Sequence, residues 1–436
     1  MQIQLREISG KATRQKDYRF LNLYTMLNES NLKDSWRYLN KKSAVGADRV
    51  SAQEYEVNLE DNIKDLVERL KRKSYRSGLI RRKNIPKGNG KTRPLGIPIT
   101  EDKLLQCACK RILESIYEKD FFDFSYGYRP HRGAKDAIGR LSHTLQFGRY
   151  NWVVEADIKG FFDNIDHDLL IGMLEERISD KSFTNLIRKW LKAGILEETQ
   201  EITHPATGTP QGGIISPVLA NIYLHTVLDQ WFEESVKPNI RGQACLIRYA
   251  DDFITVFQYR DDAERYFRTL PKRLGKYGLQ LASDKSVIKP FSPNRRDSGR
   301  FDFLGFEYYW SINRKRRAVV KRRTSRKKLR KSLAAFTEWI KHRHFKGFSI
   351  LITWLNRKLR GYYNYYGVIG NSRSLSEFYD KAVEIMFKWL NRRSQRRSYS
   401  WTIFRQLIRY HGIVRPRITE KNNRQRDLFG IVCVKA

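Results

Sequence analysis

"LIRYADDFITVF", residues 246–257, sets Asp251 and Asp252 side by side between two runs of apolar and β-branched residues. That pattern predicts a buried β-hairpin with an acidic tip. Such turns prefer Asn-Gly or Asp-Gly, and this one has no glycine. Neighbouring carboxylates repel, and burying them is costly unless something positive lies beside them. A divalent metal would meet that need, and a third ligand is then to be sought elsewhere in the chain.

"NWVVEADIKGFFDNIDHDLL", residues 151–170, begins as a strand. Trp152, Val154, Ala156 and Ile158 alternate with Val153, Glu155 and Asp157, which puts Asp157 at the strand's end. If this strand and the hairpin are neighbours in one sheet, Asp157, Asp251 and Asp252 converge at one edge. That donor set suits two hard cations such as Mg²⁺. Two metals together activate an attacking hydroxyl and stabilise a leaving phosphate oxygen. A lone Asp is more often a turn or cap residue, so the argument rests on the three together.

The rest of the 436-residue chain fits a polyanion as partner. Lys and Arg number 84 against 47 acids, a formal net charge of +37, which points to nucleic acid or a membrane surface. No apolar run is long enough to span a bilayer, and the N-terminus lacks the apolar core of a signal peptide. The expectation is a cytoplasmic nucleic-acid-binding protein that engages no membrane. Cys107, Cys109, Cys245 and Cys433 have no paired spacing and read as reduced packing thiols.

The fold class expected is α+β. Ile63, Leu66, Val67 and Leu70 recur at helical spacing. "GLIRRKNIPKGNGKTRPLGIPI" reads as strand, Gly-rich turn and strand, followed by a helix with Thr100 as N-cap. "SPVLANIYLHTVLDQWF" reads as one helix capped by Ser216 with Pro217 in its first turn. Residues 314–331 hold twelve cations and no acid. Three helical patterns follow, carried by Leu329, Leu333, Phe336 and Ile340, then Leu351, Trp354, Leu355 and Leu359, then Phe378, Ala382, Ile385 and Trp389; they read as a small bundle.

Tyr249-Ala250-Asp251-Asp252 resembles the Tyr-x-Asp-Asp signature of reverse transcriptases, in the Ala form typical of group II intron reverse transcriptases. "ADIKGFFDNIDHDLL" is similar to their first carboxylate motif and "GTPQGGIISPVLANIYL" to their Pro-Gln-Gly motif. "IPKGNGKTRPLGIPITEDKLLQ" and "SYGYRPHRGAKDAI" resemble their fingers motifs, "FLGF" the primer grip and "LNRKLRGYYNYYG" the maturase, or thumb, segment. The matches keep family order from about residue 70 to 400.

The resemblance implies a right-hand polymerase: an N-terminal extension over 1–40, fingers over 41–150, a palm over 151–312, a helical thumb or maturase domain over 313–397, and a basic DNA-binding-like tail over 398–436. It implies that Asp157 and Asp251 ligate two Mg²⁺ ions, with Mn²⁺ as a substitute, Asp252 nearby and the Ile158 carbonyl sharing a metal. Phe162 would lie beneath the sugar and reject a 2′-hydroxyl, while Phe161 packs in the core. Lys87 and Arg93 would grip the triphosphate, with Lys91 a solvated cation of the same turn. Gln211 would lie against the nucleotide, with Gly212 and Gly213 allowing close backbone approach. Lys285 is a candidate proton donor to pyrophosphate. Arg129 and Arg132 would hold the template backbone, and Leu304 and Gly305 the primer terminus.

The implied activity is RNA-directed DNA synthesis on an RNA template from a DNA or RNA primer, using deoxynucleoside triphosphates. Binding to a structured group II intron RNA and help with its splicing go with it; no protein partner is indicated. Some relatives carry a zinc-dependent His-Asn-His endonuclease, whose cysteines and histidines this sequence lacks, so second-strand cleavage is not expected and the primer comes from elsewhere. The alternatives are an RNA-binding splicing chaperone with a vestigial polymerase site, or a domesticated relative in host defence or DNA repair. About half of Tyr362, Tyr363, Tyr365 and Tyr366 are expected to be bundle core.

Overall fold

A computed structural model describes residues 2–88, 91–295, 297–392 and 398–420. The mixed α+β chain divides into two compact units, one of residues up to 137 with 149–288, the other of residues 138–148 with 289 onward.

The first unit is built on helices whose apolar spacing points inward. Ile63, Leu66, Val67 and Leu70 line the buried face of the helix Leu59–Lys71. The helix Thr100–Tyr117 is buried along most of its length. Its N-cap is Ile99, not Thr100, whose hydroxyl donates to the Val50 carbonyl at 2.7 Å. Asp102, on the same helix, accepts from the Tyr75 hydroxyl at 2.5 Å and the Gly78 amide at 2.9 Å. Burial outweighs both bonds and pushes its carboxyl up to about 7.

Among the described residues, the strands up to residue 290 are β1 (Ile80–Gly88), β2 (Lys91–Ile97), β3 (Trp152–Ala156), β4 (Ile195–Leu196), β5 (Ile202–Thr203), β6 (Ala244–Tyr249), β7 (Asp252–Phe257) and β8 (Val287–Pro290). One sheet runs β2-β1-β4-β5 and another β6-β7-β3-β8. In the second, β6 and β7 form the hairpin and β3 lies antiparallel to β7, Trp152 opposite Phe257 through Ala156 opposite Phe253. Val153 is as buried as Val154, so both faces of this strand are covered where strict alternation had implied one. The helix Ser216–Leu224 continues through π-helical turns, His225–Gln230 and Phe232–Val236. Ser216 is its first residue rather than its cap, and its hydroxyl donates to the Pro210 carbonyl at 2.9 Å.

In the second unit, β9 (Phe301–Phe303), β10 (Phe306–Ile312) and β11 (Ala318–Thr324) form a meander. The basic run 314–331 therefore holds a turn, a strand and the start of a helix. Its cations find acids far off in sequence: Arg322 pairs with Glu420 at 2.5 Å, and Arg323 Nε donates to Glu307 at 2.6 Å. Residues 138–148 join this unit through Gln146, whose Oε1 accepts from the Val320 amide at 2.8 Å, and Ser142, whose hydroxyl accepts from Arg322 at 3.1 Å. The helices Arg326–Lys341, Phe348–Tyr366 and Ser372–Leu390 pack around Phe336, Leu355, Leu359, Tyr363, Phe378 and Met386. Trp354 and Ile385 are half-buried, and Ile352 and Met386 take the interior places beside them. Tyr363 is buried, Tyr362 and Tyr366 partly so, and Tyr365 exposed. A further helix, Trp401–His411, ends at Gly412, whose φ of 67° suits a left-handed C-cap. Residues 421–436 of the expected tail, with Cys433, lie outside the described residues; Cys107 and Cys109 are buried free thiols, and Cys245 is half-buried.

Candidate active site

The sheet register brings the acidic residues to one edge. Ala156 pairs with Phe253, so Asp157 and Asp252 are the next residues on their strands, and Asp251 follows in the turn. Tyr249 pairs with Asp252, leaving Ala250 and Asp251 as a two-residue loop. Ala250 takes the positive φ, 56°, that a glycine would have supplied. For an L-residue this costs about 1–2 kcal/mol, strain of a kind that persists where neighbours hold it in place.

Asp157 is half-buried, and its Oδ2 accepts from Lys285 Nζ at 2.5 Å. The hydrogen bond and the Coulomb attraction of the same carboxylate hold Lys285 above the ordinary lysine range. Around this pair the backbone is laced to the turn that carries Lys285: the Asp157 carbonyl accepts from the Ala282 amide at 2.8 Å, and Ile158, buried, bridges to Leu281. Among the described residues no three His, Cys, Asp or Glu side chains are drawn into a closed metal cluster. The donor chemistry nonetheless fits a hard divalent cation: all the groups are oxygens, and Asp157 already has a cationic ammonium against its carboxylate.

Phe162 and Phe161 follow Asp157 on a 3₁₀ turn, Phe161–Asp163, and both are buried. Phe162, 8 % exposed, meets the Tyr128 ring edge-on at 6.5 Å. The loop after residue 206 is tied down beneath them. Thr209 N–H donates to the Phe162 carbonyl at 2.8 Å and Gly208 N–H to the Ile165 carbonyl at 2.8 Å. Gly208 has φ 93°, and a Cβ there would come within 2.9 Å of the Asp163 carbonyl. His167 joins this lacing through Gly208, at 2.7 Å, as a structural residue.

Gln211 lies between Arg93, another candidate, and Asp163. Arg93 Nε donates to its Oε1 at 2.8 Å, and its Nε2 donates to Asp163 at 3.2 and 3.4 Å. The strand β2 reaches this loop backbone to backbone: the Gly96 amide donates to the Gln211 carbonyl at 2.8 Å, and a Cβ on Gly212 would come within 2.7 Å of the Gly96 carbonyl. Arg93 is exposed. The side chains of Lys87 and Lys91 lie outside the described residues.

One basic residue, Arg129, is placed otherwise than the sequence implied. Arg129, its side chain 2 % exposed, donates to Glu118 and to the carbonyls of Phe122 and Ser125. It is a clamp within the fold, because Glu118 supplies a carboxylate inside that draws the guanidinium off the surface. Arg132 pairs with Asp123 at 2.6 Å. In the second unit, Leu304 and Gly305 form the two-residue loop between β9 and β10, with φ of 48° and 82°, as type I′ hairpins require. The Leu304 carbonyl accepts from Tyr365 at 2.9 Å and the Gly305 carbonyl from the Ser325 amide at 3.0 Å.

Sequence reasoning passed over Asp163, which orients Gln211, and Tyr128. Tyr128 sits in "SYGYRP" at a φ of 59°. Partial burial, and next the charge of Asp251, raise its hydroxyl above the ordinary range, with Arg93 acting in the opposite direction. A bulky residue in the left-handed region beside two acids was the signal available, but only a backbone could reveal it.

Residues 85–308 match the family model described as reverse transcriptase (RNA-dependent DNA polymerase). Group II intron-encoded protein LtrA of Lactococcus lactis subsp. cremoris is 33% identical over 403 residues, covering 73% of this chain and 65% of that protein. Protein YkfC of Escherichia coli (strain K12) is 33% identical over 290 residues, covering 60% of this chain and 74% of that protein. The putative COX1/OXI3 intron 1 protein of Saccharomyces cerevisiae is 38% identical over 164 residues, covering 38% of this chain and 19% of that one. The chain thus spans about two thirds, 65%, of the length of the intron-encoded relative it matches over most of its own sequence.

Proposed function

We propose, for a chain that belongs to the reverse transcriptase family, that it copies RNA into DNA by extending a DNA or RNA primer with deoxynucleoside triphosphates. The observation that carries this reading is the register of β3 against β7, which ends both strands in aspartates at one sheet edge. Phe162, buried, follows Asp157 by five residues, and Arg93 is joined to Gln211. In this reading the right-hand divisions apply: fingers over 41–150, palm over 151–312, helical thumb over 313–397 and a basic tail beyond.

The primer 3′-hydroxyl attacks the α-phosphorus and pyrophosphate leaves. No covalent enzyme intermediate is needed; positioning and charge neutralisation lower the barrier. Asp157 and Asp251, with Asp252 and the Ile158 carbonyl alongside, would hold Mg²⁺. When bound, the metal supplies activation of the hydroxyl and neutralisation of phosphate charge. Arg93 and Lys87 grip the triphosphate, the Gln211 bond fixing the direction of the Arg93 fork. Phe162 closes the space under the sugar. Lys285 passes a proton to the departing pyrophosphate.

The intron connection is the second half of the proposal. Relatives named as a group II intron-encoded protein and a putative intron protein, with the exposed cations on the helix Arg326–Lys341, support binding to a structured group II intron RNA and help in its splicing. Asp251→Ala in the full chain tests the core of the reading: Mg²⁺-dependent extension of a DNA primer on RNA should vanish while RNA affinity stays. A variant that still polymerises would refute the assignment.

A further inference from the structure

The strained turn at Ala250 is gripped from behind by buried polar groups. Nη1 of Arg248 donates to the Ala250 carbonyl at 3.1 Å and to Oδ1 of Asn221 at 3.0 Å. Asn221 Nδ2 in turn donates to the Gly127 carbonyl at 2.7 Å. Gly127 lies so close that a Cβ there would fall 2.2 Å from the Ala250 amide nitrogen. The other edge of the guanidinium is bidentate to Asp229, at 2.8 and 2.5 Å, and both side chains are 0 % exposed.

A buried ion pair is weak support for stability, since well-packed apolar residues of the same volume often serve as well. What this pair supplies is direction. Asp229 fixes one edge of a planar fork, and the nitrogen left over points at the turn. Asp229 is carried by the π-helical segment His225–Gln230, a distortion that re-aims side chains and recurs at functional sites. The segment before the fork is fixed as well: the Arg248 amide donates to the Phe124 carbonyl and the Tyr126 amide to the Arg248 carbonyl, both at 2.9 Å.

We propose that Arg248 is a positioning residue: held by Asp229 and Asn221, it locks the Ala250 carbonyl and so fixes where Asp251 and Asp252 present their carboxylates. The inference rests on the proposed polymerase reading, whose failure is read separately below.

The test uses the full chain. Arg248→Met with Asp229→Leu removes both charges together, leaving neither buried alone. Asn221→Ala leaves the ion pair in place and releases Gly127 and one contact of the fork. Single-turnover kcat, the KM for deoxynucleotide, RNA affinity, melting temperature and the Mn²⁺ affinity of the free chain, from loss of the aqueous Mn²⁺ resonance, are measured. In the double variant kcat should fall on the order of 100-fold and Mn²⁺ affinity about tenfold, with KM, RNA affinity and melting temperature retained. A folded double variant with wild-type kcat and Mn²⁺ affinity overturns the proposal. If the double variant does not fold, Asn221→Ala decides it: weakened Mn²⁺ binding supports the proposal and wild-type binding overturns it. A wild-type chain that fails to extend any primer in Mg²⁺ removes the polymerase reading instead, and the Mn²⁺ titrations still judge Arg248.

Discussion

Gln211 is held by Asp163, its Nε2 donating to both carboxylate oxygens at 3.2 and 3.4 Å. With the amide nitrogen committed there, Oε1 must face Arg93, which donates to it at 2.8 Å. Asp163→Ala frees the amide to flip and should raise the KM for deoxynucleotide about tenfold, the loss of roughly one charge-assisted bond, with kcat little changed. Steady-state kinetics check this. Arg93→Ala combined with Asp163→Ala should cost less than the sum of the two, because both act through one side chain.

Lys285 and Asp157 form an ion pair that a structural role alone would also explain, so the test must separate the two. Lys285→Ala should lower kcat about 100-fold, as loss of a proton donor does, with KM for deoxynucleotide unchanged. Lys285→Arg keeps a cation opposite Asp157 but does not give up a proton at working pH. It should therefore be nearly as slow as the Ala variant in rapid-quench assays; recovery by Arg would make the pair structural.

Local patterning was legible wherever the determinants lie close in sequence. The faces of the helix Leu59–Lys71, the hairpin at 244–257 and the placement of Asp157 at a strand end all follow from spacing of 3.6 or 2. What stayed hidden depends on partners far along the chain. Strand β11 lies inside a basic run because Glu307 and Glu420 neutralise Arg323 and Arg322. Arg129 turned inward for Glu118, and the π-helical turns after Leu224 leave no mark on an apolar stripe. Asp163 looked like any loop acid, since its meaning comes from Gln211, 48 residues on.

Phe162 is buried, so shortening it affects both stability and specificity. Phe162→Ala removes packing against Phe161 and Tyr128 and should destabilise the fold by about 3–5 kcal/mol. Phe162→Val keeps more of the volume and is the better probe. The ratio of kcat/KM for ribonucleotide over deoxynucleotide should rise about 10–100-fold, the range that shape in an apolar pocket can supply. Unchanged sugar discrimination in a folded variant would move the gate to another residue.

Asp102 makes stability depend on pH in a stated direction. Its carboxyl is pushed up to about 7 by burial, so between the usual carboxyl range and neutrality the folded chain holds a proton that the unfolded chain has lost. The contribution is fully present below that range and is lost as pH rises to about 7, at about 1.4 kcal/mol per pH unit. Melting temperatures measured from pH 5 to 8 should therefore fall, and Asp102→Asn should flatten the decline. An equally steep fall in Asp102→Asn would place its source elsewhere.

The basic stretch at 314–331 contains cations of two kinds, and they should respond differently. Arg326, Lys327 and Arg330 are exposed on the helix Arg326–Lys341, where an RNA backbone can reach them. Replacing these three with Gln should weaken RNA binding and reduce the slope of log affinity against log salt by about 2, at roughly 0.7–0.9 per phosphate contact. Arg322 and Arg323 are instead bound to Glu420 and Glu307. Arg322→Gln leaves a partly buried carboxylate without its partner, which costs stability rather than counterion release. It should lower the melting temperature while leaving the salt slope alone. Filter-binding titrations at several salt concentrations, read beside thermal denaturation, separate the two; a salt slope unmoved by the triple replacement would make that helix face merely solvated.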